Sequence, residues 1–229
     1  MTYVVAFDLD GTLVDTPRAI VETLTAVCAS LGVEFPDASA IRATIGLPLE
    51  QAFSNLMRVP LDDGRVTHGV KQYQALFKER ILPRAAALTF PGVADGLPTL
   101  RGQGFTLAVA TSKIYASADA LLKAAGLRDH FTLVVGADQV TQPKPHPEMG
   151  QLIMQTLGVS AERAVMVGDT THDLLMARAA GMRSVAVTYG VHSVQELKSS
   201  DPTWIADTFD EVLKCIQTGS CTTAGCRRS

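Results

Sequence analysis

Short apolar runs alternate along most of the chain with longer segments in which apolar residues recur at helical spacing. Six runs have the length of buried strands, and they lie at residues 3–7, 106–110, 132–135, 164–167, 184–187 and around Trp204 and Ile205. Strands that are apolar at nearly every position, with helices between them, are typical of parallel sheets covered on both faces. The pattern therefore predicts an α/β fold with a Rossmann-like parallel sheet core.

The stretch between the first two runs, about residues 16–83, has no strand pattern. Thr16 before Pro17 predicts the cap of a helix that continues to Leu31, and Asp37 predicts the start of another helix toward Ile45. Two more helices are predicted at residues 49–57 and 63–82. We therefore expect a core of residues 1–15 and 84–217, an inserted helical domain of residues 16–83, and a flexible tail at residues 218–229, which are small and polar.

The first run ends in a pair of carboxylates, Asp8 and Asp10, separated by one residue. Alternate strand residues share a face, and a turn at Gly11 can bring both carboxylates to one cleft. One carboxylate can then ligate a hard cation and attack phosphorus, while the other protonates a leaving oxygen and deprotonates a water. The alternative is a strand end with two solvated aspartates, which the full run of residues 7–15 disfavours.

Three further polar segments follow later apolar runs. They are Thr111, then Lys144 between two prolines, and then Gly168-Asp169-Thr170-Thr171-His172-Asp173. Because ligands of open α/β sheets bind beyond the carboxyl ends of the strands, we expect these segments to converge. Taken singly, each segment also has a purely structural interpretation. Thr111 or Asp169 could cap a helix, and Lys144 could be a solvated loop residue.

The four motifs in this order resemble those of the haloacid dehalogenase superfamily, over nearly the whole chain except about the last dozen residues. The resemblance implies that the inserted helices form the superfamily's helical cap. It also implies that Asp8 is the nucleophile, that Asp10 is the general acid and base, that Thr111 binds the transferring phosphoryl group and that Lys144 offsets its charge.

The resemblance further implies a Mg2+ cofactor held by Asp8, by the backbone carbonyl of Asp10 and by Asp169. Asp173, four residues further along a helix start, is expected to reach the ion through a water or an intervening group. Phosphate oxygens are expected to bind the backbone N–H groups of Gly11 and Thr12. The other candidate substrate contacts are two in the core, Ser112 and Lys113, and two in the cap, Leu47 and Arg42.

The resemblance also narrows the reaction. Dehalogenases of the superfamily have no carboxylate at the position of Asp10, and its β-phosphoglucomutases carry a histidine where this chain has Ile20. Hydrolysis of a phosphomonoester remains, and residues 45–49 and 110–113 look most like phosphoglycolate phosphatases. The alternatives are a nucleotide or sugar-phosphate phosphatase of a dedicated biosynthetic pathway, and a catalytically silent binding protein on the same fold.

Composition excludes several other classes. The chain has 229 residues and a net charge of −3, and its lysines and arginines form no basic runs, so nucleic acid is not an expected partner. No apolar run is long enough to cross a bilayer. The four cysteines lack metal-ligand spacing and are too few for a disulfide framework, which indicates a reducing cytoplasm. We expect a cytoplasmic monomer or homodimer that acts on a small phosphorylated metabolite.

Overall fold

The computed structural model describes residues 2–32 and 38–220, except for the side chains of residues 38, 39, 219 and 220. One sheet is built from six strands: β1 (Tyr3–Phe7), β2 (Phe105–Ala110), β3 (Leu133–Val135), β4 (Ala164–Gly168), β5 (Arg183–Val187) and β6 (Trp204–Ala206). All neighbouring strands are parallel, in the order β3-β2-β1-β4-β5-β6. The predicted α/β fold is confirmed, and each predicted strand differs from the observed one by at most one residue at either end.

Ten α-helices lie in the described part of the chain. Four follow β1 directly: α1 (Pro17–Ser30), α2 (Ala38–Arg42), α3 (Leu49–Met57) and α4 (Gly64–Arg80). Six are distributed among the remaining strands: α5 (Val93–Gly102), α6 (Tyr115–Ala124), α7 (Glu148–Leu157), α8 (Thr171–Ala179), α9 (Val194–Ser199) and α10 (Phe209–Ser220).

The two faces of the sheet carry separate hydrophobic layers. Val5 and Phe7 of β1 pack on one face, where the Phe7 ring stacks on Phe209 with centroids 5.9 Å apart. Val4 and Ala6 pack on the other face, within a methionine-rich cluster. Successive strand residues point to opposite faces, so β1 is buried on both sides and its carboxyl end is held in a fixed place.

The four helices after β1 pack mainly on one another, with α4 contacting both α1 and α3. Their interior is aromatic: Tyr73 lies between Phe53 and Phe77, with ring centroids 6.4 and 5.9 Å away. We call these helices and the segments joining them the cap. The domain limits predicted at residues 15/16 and 83/84 remain predictions.

The observed helices correct several of the predicted ends in the cap, and α4 ends at Arg80, two residues before its predicted end. α1 ends at Ser30, one residue before the predicted end, and α4 begins at Gly64 because the Asp63 carboxylate caps it by accepting from the Arg65 N–H at 2.9 Å. The helix expected from Asp37 toward Ile45 is shorter than predicted, since α2 covers only Ala38–Arg42. Asp37 itself lies outside the described residues.

The chain enters and leaves the cap through two segments that lie side by side. The Asp15 N–H donates to the Leu88 carbonyl at 2.7 Å, and the Phe90 N–H donates to the Leu13 carbonyl at 3.1 Å. The cap is therefore tied to the core right beside the carboxyl end of β1.

The flexible tail expected at residues 218–229 remains a prediction, although its first residues are helical. α10 continues to Ser220, and the Thr218 hydroxyl donates to the Lys214 carbonyl at 2.8 Å within that helix. Residues 221–229 lie outside the described residues. Among the described helices, none combines the length and the apolar character that a membrane span needs.

Candidate active site

Three buried carboxylates meet at the carboxyl edge of the sheet. Asp8 follows β1 and Asp169 follows the adjacent strand β4, while Asp173 lies in the first turn of α8. One oxygen from each lies within 4.8 Å of the others. The chain leaves β1 toward β2 on one side and returns to β4 on the other, so the crevice between β1 and β4 is where this topology places a ligand.

Lys144 neutralises part of this cluster. Its ammonium lies 2.9 Å from Asp8 Oδ1 and 2.5 Å from Asp173 Oδ1, and it donates to the Ala110 carbonyl at 2.6 Å. Burial alone would lower the pKa of Lys144, but the carboxylates of Asp173 and Asp8 raise it above its ordinary value. Lys144 is only 3% exposed, so the alternative of a solvated loop residue is wrong.

The cluster has more negative than positive charge, because three carboxylates face one ammonium. Burial raises the pKa of Asp8 to about 7, against the lowering effect of Lys144. Burial, with the nearby Asp8 and Asp173, also raises the pKa of Asp169 well above its usual range. These shifts describe the site without a metal, where the charged forms lack compensation.

The residues present fit a hard divalent cation. All the side-chain donors are carboxylate oxygens, which Mg2+ prefers over sulfur or imidazole ligands. A Cβ atom built on either Gly11 or Gly190 would overlap the carboxylate of Asp169. Glycine at these two positions therefore makes room for the Asp169 carboxylate itself.

Two donors fix the orientation of Asp169. The Thr12 hydroxyl donates to Asp169 Oδ1 at 2.9 Å, and the Val191 N–H donates to Asp169 Oδ2 at 2.8 Å. The Tyr189 hydroxyl in turn donates to the Thr12 carbonyl at 3.1 Å. The alternative of Asp169 as a helix cap is wrong, because Thr170 occupies the N-cap position of α8.

The expected phosphate contact of the Gly11 N–H is corrected by the structure. This N–H donates to the Val14 carbonyl at 2.9 Å, because the turn after Asp10 closes on itself. The Thr12 side chain is likewise engaged with Asp169. The phosphate contact expected of the Thr12 N–H remains a prediction, because that side-chain bond does not involve the backbone N–H.

Asp173 uses both of its carboxylate oxygens inside the protein. Oδ1 pairs with Lys144, and Oδ2 accepts from the Thr170 N–H at 3.1 Å and from the Thr170 hydroxyl at 2.7 Å. This arrangement is a capping box at the start of α8. Asp173 thus anchors the helix and Lys144 together, in keeping with an indirect role at the metal.

Asp10 lies at the entrance to the cap and is held from both sides. The Thr16 hydroxyl donates a very short hydrogen bond to Asp10 Oδ1, and the Lys113 ammonium lies 3.1 Å from Asp10 Oδ2. Thr16 occupies the predicted N-cap position of α1 but makes no side-chain cap bond there, because its hydroxyl donates to Asp10 instead. The Lys113 ammonium also lies 4.3 Å from the centre of the Phe77 ring in the cap.

Thr111 and Ser112 follow β2 at the same edge of the sheet. Thr111 is buried and lines the cleft, and α6 begins beyond it after Ile114, so the helix-cap alternative for Thr111 is wrong. The Ser112 hydroxyl donates to the Gly46 carbonyl of the cap at 2.6 Å. Ser112 therefore joins the core to the cap.

The two predicted cap contacts have different positions. Leu47 lines the cleft between cap and core, whereas Arg42 is exposed at the end of α2 and is not among the cleft-lining residues. The neighbouring Ile41 is the residue of that turn whose side chain packs inward. The structure does not bring Arg42 to the site.

The cleft also contains cap residues that sequence reasoning missed. They are Ile20, Leu24, Thr44, Glu50, Tyr73, Gln74 and Phe77. The pairs at positions 20 and 24 and at 73 and 77 have the i, i+4 spacing of a helix face. That spacing marks an inward face, but it gives no sign that the face covers a cleft.

The chain, with its parallel α/β fold and buried carboxylate cluster, belongs to a known family of hydrolases. The family model described as haloacid dehalogenase-like hydrolase matches residues 5–187. The resemblance stated from the four motifs is confirmed.

Several characterised or named proteins are similar to this chain. A Dickeya dadantii protein named "Probable phosphatase IndB" is 58% identical, with 93% of each chain covered. A phosphoglycolate phosphatase of Colwellia psychrerythraea is 31% identical over 92% of this chain and 95% of its own. A 5'-nucleotidase of Pseudomonas aeruginosa is 32% identical over 87% of this chain and 88% of its own.

Solved structures have the same architecture. A haloacid dehalogenase-like family hydrolase from Streptococcus pneumoniae superposes with a TM-score of 0.78 at 30% identity, covering 94% of this chain and 99% of its own. A β-phosphoglucomutase from Clostridium difficile superposes with a TM-score of 0.79 at 18% identity, over 96% and 97% of the two chains. The second likeness extends to the fold alone.

Proposed function

We propose that the protein is a Mg2+-dependent phosphatase that hydrolyses a small phosphomonoester through an aspartyl-phosphate intermediate. The observation that carries the proposal is the buried Asp8, held at 2.9 Å by Lys144 beside Asp169 and Asp173. The related phosphatases support the same reaction class. Asp10, two residues after Asp8, supplies the second carboxylate that proton transfer needs.

The reaction takes two displacements at phosphorus. A carboxylate oxygen of Asp8 attacks, the bond to the substrate's ester oxygen breaks, and protonated Asp10 gives its proton to the departing alkoxide. Asp10, now ionised, takes a proton from water as that water attacks the aspartyl-phosphate. Inorganic phosphate leaves, Asp8 is again a carboxylate, and Asp10 is again protonated.

The surrounding residues offset charge and orient the reacting groups. Lys144 partly neutralises Asp8, so that the dianionic phosphate is not repelled, and the Thr111 hydroxyl is available to a phosphoryl oxygen. Asp8, Asp169 and the Asp10 carbonyl would hold Mg2+, with Asp173 behind them. When bound, Mg2+ would neutralise charge on the phosphoryl oxygens.

The physiological substrate has two candidate classes. The phosphoglycolate phosphatases among the relatives favour a phosphorylated small acid. The 5'-nucleotidase at similar identity favours a nucleotide or sugar phosphate instead. A catalytically silent binding protein is disfavoured, because binding alone needs no nucleophile beside a second carboxylate. The cytoplasmic location and the monomeric or homodimeric state remain part of the proposal.

The test is hydrolysis of p-nitrophenyl phosphate with Mg2+, before and after chelation by EDTA. We expect chelation to abolish turnover and added Mg2+ to restore it. Asp8→Asn should be inactive, because an amide does not attack phosphorus. Asp62→Asn, which changes an exposed carboxylate of the cap, is the matched control and should retain activity. Activity in Asp8→Asn or after exhaustive chelation would contradict the proposal.

A further inference from the structure

The cleft between cap and core has one apolar wall. It has a volume of about 840 Å3, its open mouth included. Asp8, Asp10 and Thr111 line its core side, while Ile20 and Leu24 of α1 and the rings of Tyr73 and Phe77 of α4 line its cap side. We call these four side chains the cap wall. A phosphate at Asp8 would leave the rest of the substrate against this wall.

Positive charge is scarce around the cleft. Among the described residues that line it, Lys113 is the single cation, and its ammonium is already paired with Asp10 at 3.1 Å and placed over the Phe77 ring. Both contacts hold Lys113 between the core and the cap. Arg18, Arg42 and Arg84 are exposed and do not line the cleft.

The remaining polar groups of the cap side are neutral or negative. Gln74 is half-buried and offers an amide, while Glu50 lies exposed at the mouth and adds a negative charge. A second anionic group on the substrate would therefore enter a space lined by apolar side chains, with the Glu50 carboxylate at its mouth. Desolvating a carboxylate without a partner is costly, and like charges add to that cost.

An uncharged ring fits the same surface. Tyr73 and Phe77 are stacked at 29°, and each is about 5% exposed, so the part of them that faces the cleft is small, rigid and apolar. Burial, reinforced by the charge of Asp10, holds the pKa of Tyr73 well above its usual range, so the phenol stays neutral. Such a wall gains free energy by covering apolar area and ring faces of a ligand.

We propose that the substrate is the phosphate ester of an uncharged, ring-bearing alcohol, and that phosphorylated carboxylic acids are disfavoured. The inference rests on the proposed phosphatase function and defines the chemical class that the cap wall accepts. The Gln74 amide would hydrogen-bond a neutral polar group on the ring.

Matched substrate pairs test the role of charge. The amide 4-carbamoylbenzyl phosphate and the acid 4-carboxybenzyl phosphate have nearly the same size and differ by one charge, as do 2-phosphoglycolamide and 2-phosphoglycolate. We expect kcat/KM to be about tenfold or more higher for the amide of each pair. Benzyl phosphate should likewise exceed ethyl phosphate, because only benzyl phosphate covers the cap wall.

A variant that adds a positive charge beside the cap wall tests the charge argument. Gln74→Arg adds a cation to the cleft and should reduce the amide-to-acid ratio of kcat/KM several-fold. Gln151→Arg makes the same change at an exposed site on α7 and should leave the ratio as it is. Circular dichroism checks that each variant is folded. If a variant does not fold, the substrate pairs measured on the unaltered protein still test the proposal.

The outcomes distinguish a failure of the proposed substrate class from a failure of the proposed phosphatase function. Turnover of the acids at rates equal to or above the amides would overturn the substrate class while the phosphatase function stands. An unchanged ratio in folded Gln74→Arg would also overturn it. If neither these esters nor p-nitrophenyl phosphate is hydrolysed with Mg2+, the phosphatase function fails and the substrate class fails with it.

Discussion

The two sides of the cleft are built on opposite physical principles. The core side is polar and hydrogen-bonded: Lys144 donates to Asp8, Thr12 to Asp169 and Thr170 to Asp173. The cap side is mostly apolar, and it meets the core through a hydroxyl–carbonyl bond and a cation–ring contact. Directional bonds suit the phosphate and metal that every turnover shares, whereas an apolar surface selects by size and charge. Substitutions on the two sides should therefore fail differently.

Removing the ammonium from the core side should have the largest effect. Lys144→Met would leave Asp8 and Asp173 buried without their shared cation, so we expect kcat/KM to fall about a hundredfold or more for every substrate alike. The free energy of unfolding should also fall by about 3 kcal/mol, so the protein should unfold at a lower denaturant concentration. Lys71→Met, at an exposed site on α4, is the control. A loss confined to some substrates would break the comparison between the two sides.

A smaller but still uniform loss is expected from Gly190→Ala. The added methyl group would overlap the Asp169 carboxylate, which must then turn away from its Thr12 and Val191 donors. The apparent affinity for Mg2+ should fall about tenfold or more, with activity partly restored by excess metal. Gly102→Ala, where an added methyl group meets nothing within 4 Å, should change neither quantity.

The core side of the cleft could be predicted from the sequence, whereas the cap side could not. Asp8, Lys144 and Asp169 could be placed together because each follows an apolar run, and parallel topology brings such ends to one edge. Tyr73 and Phe77 could not be assigned to the cleft, since an i, i+4 apolar pair reads the same whether a core or a ligand covers it.

Other misses share a single cause. The predicted cap residue Thr16 instead serves Asp10, and Gly190 matters only through its nearness to Asp169, 21 positions earlier in the chain. Each case depends on a contact between two residues that are not neighbours on the same helix. Local sequence rules describe a residue's own element, so they do not reveal such contacts.

On the cap side, Leu47→Ala should alter selectivity more than overall rate. Leu47 lines the cleft but touches none of the carboxylate cluster's hydrogen bonds, so its loss should change relative kcat/KM values among phosphomonoesters by several-fold. The measurement is a panel of esters that differ in the size of their alcohol. A uniform loss across the panel would mean that the cap is a passive cover and that selectivity lies at Ser112 and Lys113.

The charge imbalance of the core side predicts a pH-dependent response to Mg2+. Without metal, burial raises the pKa of Asp8 from 3.8 to about 7, so between these values the folded protein keeps a proton that the unfolded chain releases. Stability of the metal-free protein should therefore fall as the pH rises through that range. Mg2+ competes with this proton, so it should raise the Tm by a few degrees more at pH 8 than at pH 5.5.

Asp169→Asn provides the control for that measurement. The variant lacks one metal-binding carboxylate, so its Tm should respond little to Mg2+ at either pH. An equal Mg2+-induced Tm shift at both pH values in the unaltered protein would show that Asp8 does not exchange a proton for the metal.

The smallest effect should come from the bond that joins the two sides. Ser112 donates to the Gly46 carbonyl at 2.6 Å, and its hydroxyl makes this contact without touching the carboxylates. Ser112→Ala removes about 1 kcal/mol of cap–core attachment. Because the His172 ring and Thr170 also lie close to Gly46, the cap should remain seated. We expect KM to rise a few-fold with kcat nearly unchanged. Ser112→Thr, which keeps the hydroxyl, should restore KM; a fall in kcat for every ester would instead place Ser112 among the groups that act on the phosphate.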